Sequence, residues 1–165
     1  WSSDVCSSDL ATQSRIRARF QDAGIAGERL ELFAQTPSRA DHLALYGRVH
    51  VALDTVPYNG TTTTCEALWM GVPVVAMLGD RHATRVSASL LHAVGLQDLV
   101  AADADGFVRL AAGLASDRAR LAALRQELRD RMRASPLLDR AGYAARFHAA
   151  LRGCWAAWCS AAPRS

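Results

Sequence analysis

Four consecutive threonines, Thr61 to Thr64, stand where a helix is due to begin in the stretch PYNGTTTTCEALWMGVPVV. Threonine is worse than alanine in a helix by roughly 0.5 kcal/mol per residue, so propensity does not explain the run. The first four N–H groups of a helix have no intrahelical partner and sit at the positive end of the macrodipole. That geometry collects anions, phosphate above all. Threonine hydroxyls add donors that rotate toward an oxygen ligand, and with Asn59 and Gly60 they crowd one turn with small polar groups that let the ligand approach the backbone. Thr63-x-x-Glu66 also fits a capping box, in which both side chains only satisfy backbone donors. The pattern permits either role, or both at once.

A second polar cluster follows in the loop GDRHATR, where His82 could line the same cleft. Arg85 there could reach a phosphate or pair at a helix start. His50, His92 and His148 fall on strand or helix patterns and read as structural. Cys65, Cys154 and Cys159 lack the paired spacing of a zinc site or a disulfide framework, which leaves reduced thiols and a cytoplasmic setting. All 19 Lys+Arg residues are arginine, so lysine chemistry must lie upstream or be absent. In SDRARLAALRQELRDRMR, Leu121, Leu124, Leu128 and Met132 recur at helical spacing with arginines between them. A solvated amphipathic face fits that stripe better than a nucleic-acid surface.

The elements that must position these groups alternate. A helix is expected from Thr12 through Ile16 and Phe20 to the glycines at 24 and 27, then a short strand over LELFA at 30–34. Ser38 is a plausible N-cap for SRADHLALYGR, followed by a buried strand VHVALD at 49–54. The threonine helix ends at Gly71, VPVVAM at 72–77 is the next strand, and ATRVSASLLHAVG forms a helix stopped by Gly95. DLVA at 98–101 reads as a last short strand. Helices are then expected near 105–115, 117–133 and 139–158, with Ser135 and Pro136 separating the last two. Short, wholly apolar strands between helices imply an α/β fold, a parallel Rossmann-like sheet with helices on both faces and a helical C-terminal extension. Ligands in such sheets gather at the carboxyl ends of the strands.

The opening WSSDVCSSDL matches the peptide encoded by one reading frame of a sequencing-library adapter, so residues 1–10 are expected to be a non-native scar. On that reading residues 11–165 are one domain cut from a longer protein, and removing Asp4 and Asp9 raises the net charge from +3 to +5. That balance is too mild for a nucleic-acid tail, and no apolar run has the length of a membrane span.

The segment DTVPYNGTTTTCEALWMGVPVVAMLGDRHATRVSASLLHAVGL, continued through SPLLDRAGYAARF, resembles the signature region of the O-linked N-acetylglucosamine transferase family, glycosyltransferase family 41, in particular its bacterial members. The resemblance implies the C-terminal, donor-binding half of a GT-B enzyme that moves N-acetylglucosamine from UDP-GlcNAc to Ser/Thr hydroxyls of a protein acceptor. Thr62 and Thr63 would hold the diphosphate, with Asn59, Gly60 and Thr61 in the same turn. Glu66 would accept from the ribose hydroxyls, and His42 would pack against the nucleotide. Arg39 stands where some relatives carry lysine, a cation of different geometry. Thr61 replaces a histidine of animal relatives, so that histidine's role does not carry over. No cofactor or metal is implied, in keeping with the absence of an Asp-x-Asp pair near the turn. No catalytic residue is assigned within these residues.

The N-terminal catalytic half and tetratricopeptide repeats are expected upstream, and the fragment alone is expected to bind weakly and catalyse nothing. Trp155 and Trp158 should be partly exposed, because the final helix of GT-B enzymes crosses to the other half. Two alternatives stand beside this reading: a related nucleotide-sugar enzyme or protein fucosyltransferase, and a non-catalytic nucleotide-binding or scaffold domain.

Overall fold

VPVVAM becomes the middle of the sheet because nothing in it tolerates water. In a computed structural model describing residues 10–33 and 36–161, Val74, Val75 and Ala76 of β2 (Val74–Met77) are buried. β1 (Ala52–Leu53) pairs with β2 in parallel, Ala52 opposite Val74, and β3 (Val100–Ala101) pairs on the other side, Ala76 opposite Val100. Among the described residues the order is β1-β2-β3 with every pair parallel, the arrangement expected from the apolar runs at 49–54, 72–77 and 98–101, although β1 and β3 are each only two residues long. These strands belong to a unit that spans Val49–Ser165, and Trp1–Arg48 forms another.

Within the larger unit, α3 (Thr62–Trp69), α4 (Val86–Ala93) and α5 (Ala104–Ser116) all pack against β2. α6 (Arg118–Ala134) packs on α3 and α5 through buried Leu124, Leu128 and Met132. α3 and α4 end in the same way. Gly71 N–H bonds Leu68 C=O and Val72 N–H bonds Ala67 C=O, while Gly95 and Leu96 repeat the pattern on His92 and Leu91. Both glycines are left-handed, at φ 80° and 74°, as this helix ending requires.

The arginine stripe of α6 is more than the solvated face its sequence suggested. Arg129 Nε donates to Trp69 C=O at 2.9 Å, and the Arg129 and Arg133 guanidinium groups each lie 5.4 Å from the Trp69 ring centre. Arg125 donates to Val49 C=O. These contacts fix the carboxyl end of α3 and the approach to β1. Exposed pairs such as Arg131–Glu127 add little.

α7 (Arg140–Ala161) buries no residue. Trp155 and Trp158 are 65% and 63% exposed, as expected, with stacked rings 5.2 Å apart. Of the three C-terminal helices, α5 packs on the sheet and α6 packs on α3 and α5.

In the smaller unit, α1 (Leu10–Asp22) ends at Gly24, φ 77°. α2 (Arg39–Leu45) is capped by Ser38, whose hydroxyl oxygen accepts from Asp41 N–H at 3.1 Å. The strand expected at 30–34 is not formed at 30–33, and Ala34 lies outside the described residues. Leu30 is extended, but the segment gains no strand partner among the described residues. Glu31 instead pairs with Arg48 at 2.6 Å, and the Arg48 guanidinium sits over the Phe33 ring. An apolar run can be extended without a neighbour to bond, and then it is not a strand. Of the expected scar, Leu10 is the first residue of α1, and residues 1–9 lie outside the described residues.

Candidate functional site

Two loops leave the carboxyl ends of β1 and β2, residues 54–61 and 78–85, and Asn59 N–H donates to Ala83 C=O at 2.9 Å to join them. Parallel strands place their loops on one edge, and the polar clusters of the sequence fall in these two. Thr61 is the residue before α3, with no side-chain cap bond, so α3 begins at Thr62. The capping box that Thr63 and Glu66 could form is out of register, because Thr63 is already helical, two residues past the cap.

Helical geometry then divides the threonines. Thr64, Ala67 and Leu68 are buried toward the sheet, while Thr62 and Glu66, four residues apart, lie on the opposite face and Thr63 on the flank between. Thr61 and Thr62 are exposed, and Thr63 and Glu66 are half-buried. Thr61 and Thr62 N–H have no hydrogen-bond partner among the described residues. Donors of this kind at a helix start suit an anion.

Gly60 is glycine for steric reasons. A Cβ there would lie 2.6 Å from Thr63 Oγ1 and 2.8 Å from Thr64 Oγ1, and Gly60 N–H donates to Asp54 Oδ1 at 2.9 Å. Asn59, 2% exposed, spends its side chain on the loop: Nδ2 donates to Thr55 C=O, and Oδ1 accepts from Ser87 N–H. Its side chain therefore shapes the turn from within.

His82 is exposed in the short turn His82–Thr84, which closes by Thr84 N–H to Arg81 C=O and Arg81 N–H to Thr84 Oγ1. Arg85 precedes α4 and donates to Gly79 C=O at 3.3 Å. It lines a groove of about 420 Å³ with Leu78, Ser89 and His92. His92, read as structural from its pattern, is thus a surface residue of that groove. Arg39 and His42 lie on α2 of the smaller unit, the His42 ring edge-on to Tyr46 at 5.7 Å. Burial, and then the neighbouring Glu66 carboxylate, push the Cys65 thiol up from its ordinary value, which keeps it protonated and unreactive.

Sequence reasoning missed Asp54 and Ser87 as parts of the turn, and the buried role of Thr64 within it. Ser87 and Gly60 are far apart in the chain, so no local spacing could have joined them. Among the described residues, no group of three or more His, Cys, Asp or Glu is placed to hold a metal, and no helix is long and apolar enough to cross a membrane.

The family model for glycosyl transferase family 41 matches residues 9–147. The chain belongs to glycosyltransferase family 41. Two curated relatives agree with the assignment. A probable UDP-N-acetylglucosamine–peptide N-acetylglucosaminyltransferase SPINDLY of Arabidopsis thaliana is 43% identical over 148 residues, 87% of this chain and 16% of the relative. A UDP-N-acetylglucosamine–peptide N-acetylglucosaminyltransferase of Caenorhabditis elegans is 32% identical over 127 residues, 77% and 11% of the two chains. The structure of a lysine-to-methionine mutant of the Thermobaculum terrenum O-GlcNAc transferase superposes with a TM-score of 0.86 at 43% identity, over 94% of this chain and 30% of that one. The chain thus spans a small part of the family 41 proteins it matches, and its sheet and helices are those of the corresponding part of a GT-B glycosyltransferase. The helical extension runs past the match, since the family model stops at Phe147 and α7 continues to Ala161.

Proposed function

We propose that these residues are the donor-binding half of an inverting glycosyltransferase that transfers N-acetylglucosamine from UDP-GlcNAc to Ser/Thr hydroxyls of proteins. The observation that carries the proposal is the turn before α3, where unpartnered N–H groups of Thr61 and Thr62 meet exposed threonine hydroxyls at the carboxyl edge of a family 41 sheet. As an acceptor hydroxyl attacks the anomeric carbon, negative charge grows on the departing diphosphate. Donors already aimed at that charge stabilise the transition state more than the substrate. Thr62 and Thr63 take the diphosphate, with Asn59 and Gly60 forming the turn beneath it, and Glu66 takes the ribose hydroxyls. His82 and Arg85 after β2 complete the nucleotide contacts of this unit, and Arg39 and His42 on α2 keep the nucleotide roles that the resemblance implies. The protein acceptor is held by an upstream half. The reading places the enzyme in a bacterial cytoplasm, preceded by tetratricopeptide repeats, and needs no metal.

Extending the chain upstream to a complete GT-B pair should create transfer of radiolabelled GlcNAc to protein that residues 11–165 do not perform. Transfer by residues 11–165 alone would mean that the active site has been misplaced.

Glu66 supplies a sharper test, because the cap at Thr61 puts Thr63 and Glu66 out of capping-box register. Glu66→Gln removes the charge and keeps the shape, so bonds to two ribose hydroxyls should weaken by roughly 1.5–3 kcal/mol, about tenfold or more in UDP affinity. Calorimetric titration with UDP and with 2′-deoxy-UDP should give non-additive losses, since each change removes part of one contact. Equal UDP affinity for wild type and Glu66→Gln would remove Glu66 from the nucleotide site.

A further inference from the structure

The donors of the threonine turn are held from behind by a residue that touches no ligand. Ser87, the second residue of α4, has no exposed surface. Its hydroxyl donates to Gly60 C=O at 2.9 Å and lies 3.0 Å from Thr64 Oγ1. A serine hydroxyl has one proton. With that proton on Gly60, the Thr64 hydroxyl must be the donor to Ser87, which gives a buried relay from Thr64 through Ser87 to the Gly60 carbonyl. The other side of Gly60 is tied as well, its N–H to Asp54 Oδ1 at 2.9 Å.

The Gly60–Thr61 peptide is trans, so its C=O and N–H point in opposite directions. Holding the carbonyl against the base of α4 therefore turns Thr61 N–H away from α4, on the side of the exposed Thr61. That N–H is one of the two donors without a partner among the described residues.

We propose that Ser87 is a positioning residue for the diphosphate of the donor: through the Gly60 carbonyl it sets the Gly60–Thr61 peptide so that Thr61 N–H faces the phosphate oxygens. This rests on the diphosphate reading of the turn given above. Ser87→Ala leaves the Gly60 carbonyl without its donor and lets the peptide rotate. A hydrogen bond weakens steeply as its angle closes, so the loss should fall on ligands that carry the phosphates.

The test compares UDP with uridine, which lacks the diphosphate, by calorimetry on the full-length protein. Wild type should prefer UDP. Ser87→Ala should lower UDP affinity about three- to tenfold, the part of a charge-assisted bond lost when its donor swings out of line, and leave uridine affinity unchanged. Thr64→Val, which removes the donor to Ser87 but leaves Ser87 its own bond to Gly60, should shift UDP in the same direction by less, and it decides the matter should Ser87→Ala fail to fold. Unchanged UDP affinity, or equal losses for UDP and uridine, would overturn the positioning role. A wild type that binds UDP no better than uridine would overturn the diphosphate reading itself, and this inference with it.

Discussion

Gly71→Ala is expected to destabilise the fold by about 3 kcal/mol, lowering the melting temperature by roughly 6–12 °C. Two effects add. Gly71 is left-handed at φ 80°, where a Cβ costs roughly 1–2 kcal/mol. That Cβ would also stand 2.6 Å from the carbonyl oxygen of Arg125, a backbone atom inside α6 that no rotamer change can move. Relieving it requires α3 and α6 to separate, at a further cost of about 1–3 kcal/mol. Gly95 provides the internal comparison, because it closes α4 with the same pair of bonds at φ 74° but has nothing within 4 Å of the added carbon. Gly95→Ala should therefore show the backbone cost alone, about 1 kcal/mol once the stiffer unfolded chain is counted. Urea unfolding of the two variants measures the difference. Equal losses would mean that the approach of α6 to the end of α3 does not constrain the fold.

The comparison of Gly71 with Gly95 also shows what a sequence carries and what it does not. Both glycines were legible as helix stops, since each follows an apolar helical run and precedes a buried strand or turn. Nothing local distinguished them, because the Arg125 carbonyl arrives from another helix. The strands followed the same rule. VPVVAM was readable because a wholly apolar run must be buried, and the flanking VHVALD and DLVA yielded only the two-residue pairings that β2 supports. LELFA is also mostly apolar but gains no partner at 30–33 among the described residues, so hydrophobicity reported extension there without pairing.

The site divides along the same line. That the threonine turn offers donors could be read from types and spacing, since a strand, a turn and a helix start follow one another in the chain. Which threonine does what could not. A two-residue shift of the helix start, from a cap at Thr63 to one at Thr61, turns Thr63 from a capping residue into a flank residue. The same register buries Thr64 beside Ser87, so one of four identical side chains becomes part of the scaffold. Register is set by how Ala67 and Leu68 fit the sheet, a tertiary fact. The buried bonds of Asn59 likewise come from α4 and the β2 loop, beyond the reach of any motif.

Gly60→Ala should abolish most nucleotide binding, with UDP affinity down by more than about tenfold, the worth of one charge-assisted hydrogen bond. The mechanism differs from that at Gly71, because Gly60 has no left-handed backbone to strain. Its Cβ would meet Thr63 Oγ1 at 2.6 Å and Thr64 Oγ1 at 2.8 Å. Thr63 is half-buried and can turn its hydroxyl aside, but Thr64 is buried and bonded to Ser87 at 3.0 Å, so it cannot yield without leaving a buried polar group unpaired. The backbone of the turn must move instead, and Gly60 is bonded on both sides, to Asp54 and to Ser87. Whatever shift relieves the contact carries Thr61 and Thr62 N–H out of line with the phosphate. The cost to stability should be smaller, about 1–3 kcal/mol, since a surface turn can open without disturbing the sheet. Affinity and melting temperature should thus part company, with binding lost in a protein that still unfolds cooperatively. Gly153→Ala, in α7 with open space around it, serves as the variant in which binding is unchanged and α7 gains roughly 0.5–1 kcal/mol of helix stability. If Gly60→Ala binds UDP as wild type does, the turn before α3 is not where the diphosphate sits, and the unpartnered donors of Thr61 and Thr62 serve solvent alone.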